Sequence, residues 1–251
     1  MENLINDYFE ITIKDRIATI NIKKDVFKLI KSEDSTNLLI NSLKLIQRDP
    51  NIKALLFINT LESFGEKHYD DFIEESIISF NKNKPEENLD FPDCNERFKE
   101  YRILNKFIKY LTKYNKLCFI VLSGGIVTPF FSASLAIDLR YATPDMHFIL
   151  AHNKYGLHPS GGLPHFLIKQ VGYNKAIELM LSEKISAEKA LNLGLINKIV
   201  PVDNMLENVI KDIKRIIKLP SCTLRRTKRL SNYVRDSLDD YYDFEASLWN
   251  L

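Results

Sequence analysis

The chain has 251 residues, 45% of them hydrophobic and 27% charged, which suits one large globular core of α/β type. A formal charge of +2 leaves no overall basic field of the kind nucleic-acid binding requires, and no apolar run approaches the roughly 18 residues of a membrane span, so no nucleic acid and no membrane partner is expected. Cys94, Cys118 and Cys222 are far apart and odd in number, and the N-terminal MENLINDYFE has no basic-then-apolar leader; both features read as a reduced, cytoplasmic protein.

Residues 8–14 and 16–22 alternate apolar and polar side chains about Lys14-Asp15, the pattern of a β-hairpin. Residues 35–48 place Leu38, Leu39, Ser42, Leu43 and Ile46 on one helical face, and Asp49-Pro50 ends it. Residues 54–58 are a buried strand, and a loop through Glu62-Ser63-Phe64-Gly65 leads to a helix over 69–80. Residues 81–94, NKNKPEENLDFPDC, are polar and proline-broken, which suits either a plain surface connection or a mobile loop or lid.

A helix carrying Tyr101, Leu104, Ile108 and Leu111 then delivers the chain to a strand at 117–122. That strand meets Ser123-Gly124-Gly125, and a second small-residue turn follows at Pro159-Ser160-Gly161-Gly162. Glycine pairs let the backbone approach a neighbour or take positive φ, so the stretch from Lys116 to Pro201 is where a site is expected. Residues 202–219, 220–234 and 239–251 read as helices without a further strand. The expected organisation is a core over 1–201 and a helical region over 202–251.

The segments AIDLRYATPDMHF, YGLHPSGG and VGYNKAIELMLSEKISAEKALNLGLINKIVP, with DPNIKALLF earlier, resemble in order the crotonase (enoyl-CoA hydratase/isomerase) superfamily over nearly the whole chain. The resemblance implies a crotonase-like spiral of ββα units with a C-terminal helical region, assembled as a homotrimer or hexamer. It implies an acyl-CoA or acyl carrier protein thioester as ligand, with no cofactor beyond the CoA or phosphopantetheine the substrate carries. Leu230, Tyr233, Phe244 and Trp249 are apolar side chains available to such an assembly. The sequence ends at Leu251, where relatives continue with another helix, so one pocket wall is expected to be either missing or supplied by a neighbour.

The family's chemistry needs two backbone N–H donors aimed at the thioester oxygen, because the developing oxyanion must be held by preorganised dipoles. By resemblance to the family's F-x-A-G-x-D loop, here Phe64-Gly65-Glu66-Lys67-His68-Tyr69, the first donor is the N–H of His68. The second falls on Pro129, which has no N–H, or after a one-residue shift on Phe130 near a helix N-terminus. Gly124 and Gly125 are placed with the substrate-binding backbone.

Hydratases set two glutamates around the substrate, and the matching positions here are Ser132 and His152. Hydration by a carboxylate pair is therefore not expected, while His152 is either the candidate acid/base titrating near neutral pH or a hydrogen-bonded structural histidine. Ser132 has no Gly-x-Ser-x-Gly elbow around it and reads as small filler rather than a nucleophile. His147, His152, His158 and His165 follow no familiar metal spacing, so no metal is expected. Arg225, Arg226, Lys228 and Arg229 form a run suited either to CoA phosphates or to a solvated helix face.

Three readings compete. The first is an isomerase, decarboxylase or hydrolase of an acyl thioester with His152 in place of a glutamate; Asn153-Lys154-Tyr155-Gly156 is similar to crotonase-type decarboxylases of polyketide β-branching. The second is a thioester-binding or accessory subunit without catalysis. The third is ordinary hydration through other residues.

Overall fold

The computed structural model describes residues 4–23, 26–59, 62–81, 95–233 and 237–247. Within it β1 (Leu4–Ile5) pairs antiparallel with β2 (Phe9–Lys14), and β2 with β3 (Ile17–Ile22), in register from Phe9↔Ile22 to Lys14↔Ile17. The hairpin turn is Asp15-Arg16, with φ of 53° and 67°. Positive φ at both turn residues matches the twist of the strands, here without glycine.

From β3 onward the strands of this sheet pair in parallel, which demands crossover connections. α1 (Val26–Lys31) and α2 (Glu33–Arg48) lead to β4 (Ala54–Asn59); α3 (Glu66–Asn81) and α4 (Asn95–Thr112) lead to β5 (Leu117–Leu122). α2 starts two residues earlier than its periodicity predicts, because Ser32 caps it by accepting the Ser35 N–H at 3.2 Å and Glu33 and Asp34 fill the first turn. Leu38, expected on the buried face, is 44% exposed; the face against the core is Leu39, Ile40, Leu43 and Ile46. In α4, Tyr101, Leu104, Ile108 and Leu111 are buried as their spacing predicts. Apart from its first residue, the loop or lid expected over 81–94 lies outside the described residues, as does Trp249.

β6 (Gly125–Val127), α5 (Thr128–Leu135), β7 (Leu139–Ala142) and β8 (His147–Ile149) follow, then a 3-10 turn over Ala151–Tyr155. α6 (Leu163–Val171), α7 (Tyr173–Met180), β9 (Lys184–Ser186), α8 (Ala187–Asn192) and β10 (Lys198–Ile199) complete the α/β part. Seven strands form one sheet in the order β1-β2-β3-β4-β5-β7-β10, and β6-β8-β9 form a second, small one.

The large sheet is apolar on both faces. One face packs on the helices between strands. On the other, Ile17, Leu56, Phe119, Val121 and Tyr141 are covered by Val209 and Ile213 of α9 (Met205–Ile216). α10 (Ser221–Asn232) and α11 (Leu238–Ser247) follow, with no further strand among the described residues. No described helix is long and apolar enough to cross a membrane.

Candidate active site

The site lies at the C-terminal ends of β4 and β5, where parallel strands leave their turns open to a ligand. Asn59 clamps these ends together: its side chain donates to Ser123 O at 2.9 Å and accepts Ser123 N–H at 3.0 Å. Gly124 turns the chain at φ 67°, donating its N–H to Asp145 at 3.1 Å and accepting that of His147 at 3.0 Å. It serves the turn, not a ligand. Gly125 allows close packing, since a Cβ there would stand 3.0 Å from Ile149 Cδ1 and 3.8 Å from Gly65 Cα. The loop before α3 and the strand β6 are thereby joined, and Val127 N–H donates to Phe64 O at 2.9 Å.

Two helix N-termini converge on this seam. In α3 the first helical bond is Tyr69 N–H to Gly65 O at 3.3 Å, so the His68 N–H lies in the first turn, which has no helical acceptor. In α5 the cap is Val127, Thr128 is the first residue and Pro129 the second. A proline fits a first turn because nothing there needs its N–H, and for the same reason it cannot be the second donor. The Phe130 N–H is the next along. Its ring stacks on Phe64 at 4.3 Å and meets Phe27 edge-on at 4.9 Å, and Phe27 in turn lies 5.1 Å from Phe72 and 5.9 Å from Tyr69. Five buried rings from four separate segments therefore fill the space between α1, α3 and α5.

Ser132 and His152 are both buried, and both are engaged. The Ser132 hydroxyl reaches Thr128 O at 3.0 Å and Ser160 O at 2.7 Å, and it is 0% exposed. With no base beside it, it is not a nucleophile; it ties α5 to the turn before α6. His152 Nδ1 lies 2.9 Å from Thr128 Oγ1. Burial, and to a lesser extent nearby His158, lower its pKa to about 4, against an opposing hydrogen bond to the Met180 carbonyl. The expectation of titration near neutral pH is therefore corrected: the ring is neutral there. A neutral imidazole has one donor and one acceptor, and Met180 O and the Thr128 hydroxyl use both.

Arg225, Arg226, Lys228 and Arg229 lie at the other end of the sheet, which corrects their assignment to a phosphate at this site. Lys228 is 4% exposed and donates to Lys116 O at 2.8 Å and Asp138 Oδ2 at 2.7 Å, the residues that precede β5 and β7. The six residues of β5 span about 20 Å between that end and Gly124. The three arginines are exposed and line an open groove there with Lys113 and Asn115.

The groove beside the site is instead lined by Lys28, Lys31, His68, Asp71 and Glu75 over Phe27 and Phe72, a set of mixed charge of which the sequence pattern singled out only His68. A second feature missed is the strap formed by the 3-10 turn: Lys154 donates to Asp70 Oδ2 at 2.7 Å, and the Tyr155 hydroxyl bonds the other oxygen of Asp70 on α3. Among the described residues, no three of His, Cys, Asp and Glu come together as a metal site.

Residues 111–250 match the family profile described as Enoyl-CoA hydratase/isomerase. The mitochondrial enoyl-CoA hydratase of Pongo abelii is 27% identical over 182 residues, 71% of this chain and 56% of its own length. The chain thus spans about half the length of this curated relative. Among solved structures, enoyl-CoA hydratase from Bacillus halodurans is similar in fold at a TM-score of 0.78 and 18% identity, over 96% of this chain and 93% of that one. An enoyl-CoA hydratase/isomerase from Cupriavidus metallidurans CH34 gives 0.74 and 19%, over 96% and 86%. Fold, element order and profile agree that this chain belongs to the crotonase, or enoyl-CoA hydratase/isomerase, family.

Proposed function

We propose that the protein acts on an acyl thioester, carried by CoA or an acyl carrier protein, by polarising its carbonyl at the first turns of α3 and α5 rather than by activating water. The observation that carries this reading is the engagement of both matched acid/base positions: Ser132 donates to backbone carbonyls, and His152 is held neutral against Thr128. What remains is the pair of N–H groups of His68 and Phe130, and preorganised donors of this kind are often the largest catalytic contribution available. A reaction that makes an enolate without a base suits such a site. Decarboxylation of a carboxyacyl thioester is one: the bond to the departing CO2 breaks, its electron pair enters the enolate, and the α-carbon then takes a proton from solvent water, leaving hydroxide.

The test is a panel of enoyl, 3-hydroxyacyl and carboxyacyl thioesters on both carriers. Turnover of a carboxyacyl thioester with no hydration of the enoyl compounds is expected, and efficient hydration would overturn the reading. His152 then holds Thr128 at the start of α5 instead of moving a proton, so His152→Gln should retain activity within about tenfold. A loss of 100-fold or more, the usual worth of an acid/base group, would restore its catalytic assignment.

A second reading, thioester binding without turnover, is favoured by the aromatic rings packed beside the donors and by Pro129. It predicts measurable affinity for acyl-CoA and no product from any member of the panel.

A further inference from the structure

Glu245 of α11 is 2% exposed, and its carboxyl has no cation beside it. Lys109, on the facing helix α4, is taken by Asp239 at 2.7 Å and lies over the Tyr242 ring at 5.6 Å. The two oxygens of Glu245 bond to separate elements: Oε2 accepts the Tyr101 hydroxyl of α4 at 2.7 Å, and Oε1 accepts the Gly162 N–H at 3.4 Å. Tyr242, one turn earlier on α11, donates its hydroxyl to Gly161 O at 3.3 Å. A Cβ on Gly162 would stand 3.2 Å from the Tyr242 ring, so the bare backbone is what lets α11 lie this close to the turn. The same turn supports α5. Ser160 O accepts the Ser132 hydroxyl at 2.7 Å, Gly161 packs against Ser132 Cβ, and Ser132 stands two residues after Phe130. Contacts therefore run unbroken from the Glu245 carboxyl to the helix that presents the Phe130 N–H.

We propose that Glu245 is a positioning residue for the Phe130 donor, acting through the Gly161-Gly162 turn and Ser132 on the start of α5. The proposal rests on the thioester reading above. Burial raises the Glu245 carboxyl to about 7, against the hydrogen bonds from Tyr101 and the Gly162 N–H. The titratable groups packed around it are Tyr101, Tyr241 and Tyr242, whose hydroxyls burial keeps protonated, and Asp239, held as an anion by Lys109 and Lys113. The His165 ring of α6 lies 5.4 Å from Tyr241. A neutral carboxyl suits this setting. A carboxylate formed above pH 7 is a desolvated charge without a counter-ion, and it is relieved by moving to water. Water is near, because Tyr101, Asn105 and Tyr242 line an open groove with Lys106 and Lys109. When α11 shifts that way, the turn loses its clamp and the donor loses its support.

The experiment is isothermal titration of acetyl-CoA and of free CoA into wild type, Glu245→Gln and Tyr101→Phe from pH 6 to pH 8. Only acetyl-CoA carries the carbonyl that the donor meets, so the ratio of the two affinities reports the donor. A general loss of structure, or titration of the CoA phosphate, moves both affinities alike. In wild type the ratio should be about tenfold at pH 6, the worth of one or two neutral hydrogen bonds, and should fall towards one by pH 8. Glu245→Gln keeps an oxygen for the Gly162 N–H and has no proton to lose, so its ratio should stay near that of wild type at pH 6 throughout. Tyr101→Phe removes a donor that favours the carboxylate and should move the fall to higher pH. A wild-type ratio above one that does not change with pH, or the same fall in Glu245→Gln, overturns the positioning role and leaves the thioester reading standing. Folded wild type that binds acetyl-CoA no more tightly than CoA at any pH overturns the thioester reading and the proposal together.

Discussion

Gly161 shows how tightly the site is built. Its φ is +72°, and a Cβ there would stand 2.9 Å from Ser132 Cβ and 3.1 Å from Ile108 Cδ1. Both the backbone conformation and the contact exclude a side chain. Gly161→Ala should cost about 2 kcal/mol or more of stability by urea denaturation, and a loss under about 0.5 kcal/mol would show that the turn can move away from α5. The same contact bears on Ser132. Writing the hydratase carboxylate back as Ser132→Glu puts a longer, charged side chain into a fully buried position against Gly161. The variant should be destabilised and should not hydrate enoyl thioesters; a stable, hydrating Ser132→Glu would mean that the ancestral geometry is still present.

α10 is held by one residue that points the wrong way for its surroundings. Arg225, Arg226 and Arg229 are exposed, whereas Lys228 turns inward to Asp138, whose Oδ2 also takes the Cys118 N–H at 2.7 Å. Lys228→Met removes one partner of a buried pair and leaves the other charged, so it should cost about 3 kcal/mol, and Asp138→Asn in the same chain should restore part of it. Stability unchanged by Lys228→Met would show that α10 is not anchored there. This lysine also marks where sequence reading stops. The hairpin, the α4 stripe and the three late helices are legible because apolar spacing reports local geometry. In Arg225-Arg226-Thr227-Lys228-Arg229 every position but one is basic, and nothing local tells which faces the sheet. The positions of His68 and Pro129 in the first turns of α3 and α5 were legible from family spacing. The aromatic filling was not, since Phe27, Phe64, Tyr69 and Phe130 come from four segments that only the fold brings together. Nor was the neutral state of His152, which depends on its burial and on Thr128, 24 positions away.

At the scale of the whole molecule, Leu230, Tyr233 and Phe244 are 75%, 78% and 62% exposed on or beside α10 and α11, side chains that a symmetric assembly would cover. Light scattering should find a trimer or hexamer at micromolar concentration, and monomer alone would count against that assembly. Two buried groups set the pH response of the fold in opposite senses. Burial raises the Glu245 carboxyl of α11 to about 7 from 4.5, against hydrogen bonds from Tyr101 and the Gly162 N–H, while burial lowers His152 to about 4 from 6.5. Glu245 favours the native state most below pH 4.5, and that advantage is lost as pH rises through 7. His152 favours it most above pH 6.5, and that advantage is lost as pH falls through 4. Each is worth about 3 kcal/mol over its full range, so between pH 4.5 and 6.5 the two slopes oppose and largely cancel. Urea denaturation across that window should therefore separate them as differences from wild type. Glu245→Gln should gain stability relative to wild type as pH rises, because the cost of ionising the buried carboxyl is gone. His152→Gln should gain relative to wild type as pH falls, because the unfolded chain no longer takes up that proton. Differences of the same sign, or none, would mean that one of the two groups reaches water in the folded protein, and the variant that fails to slope identifies which.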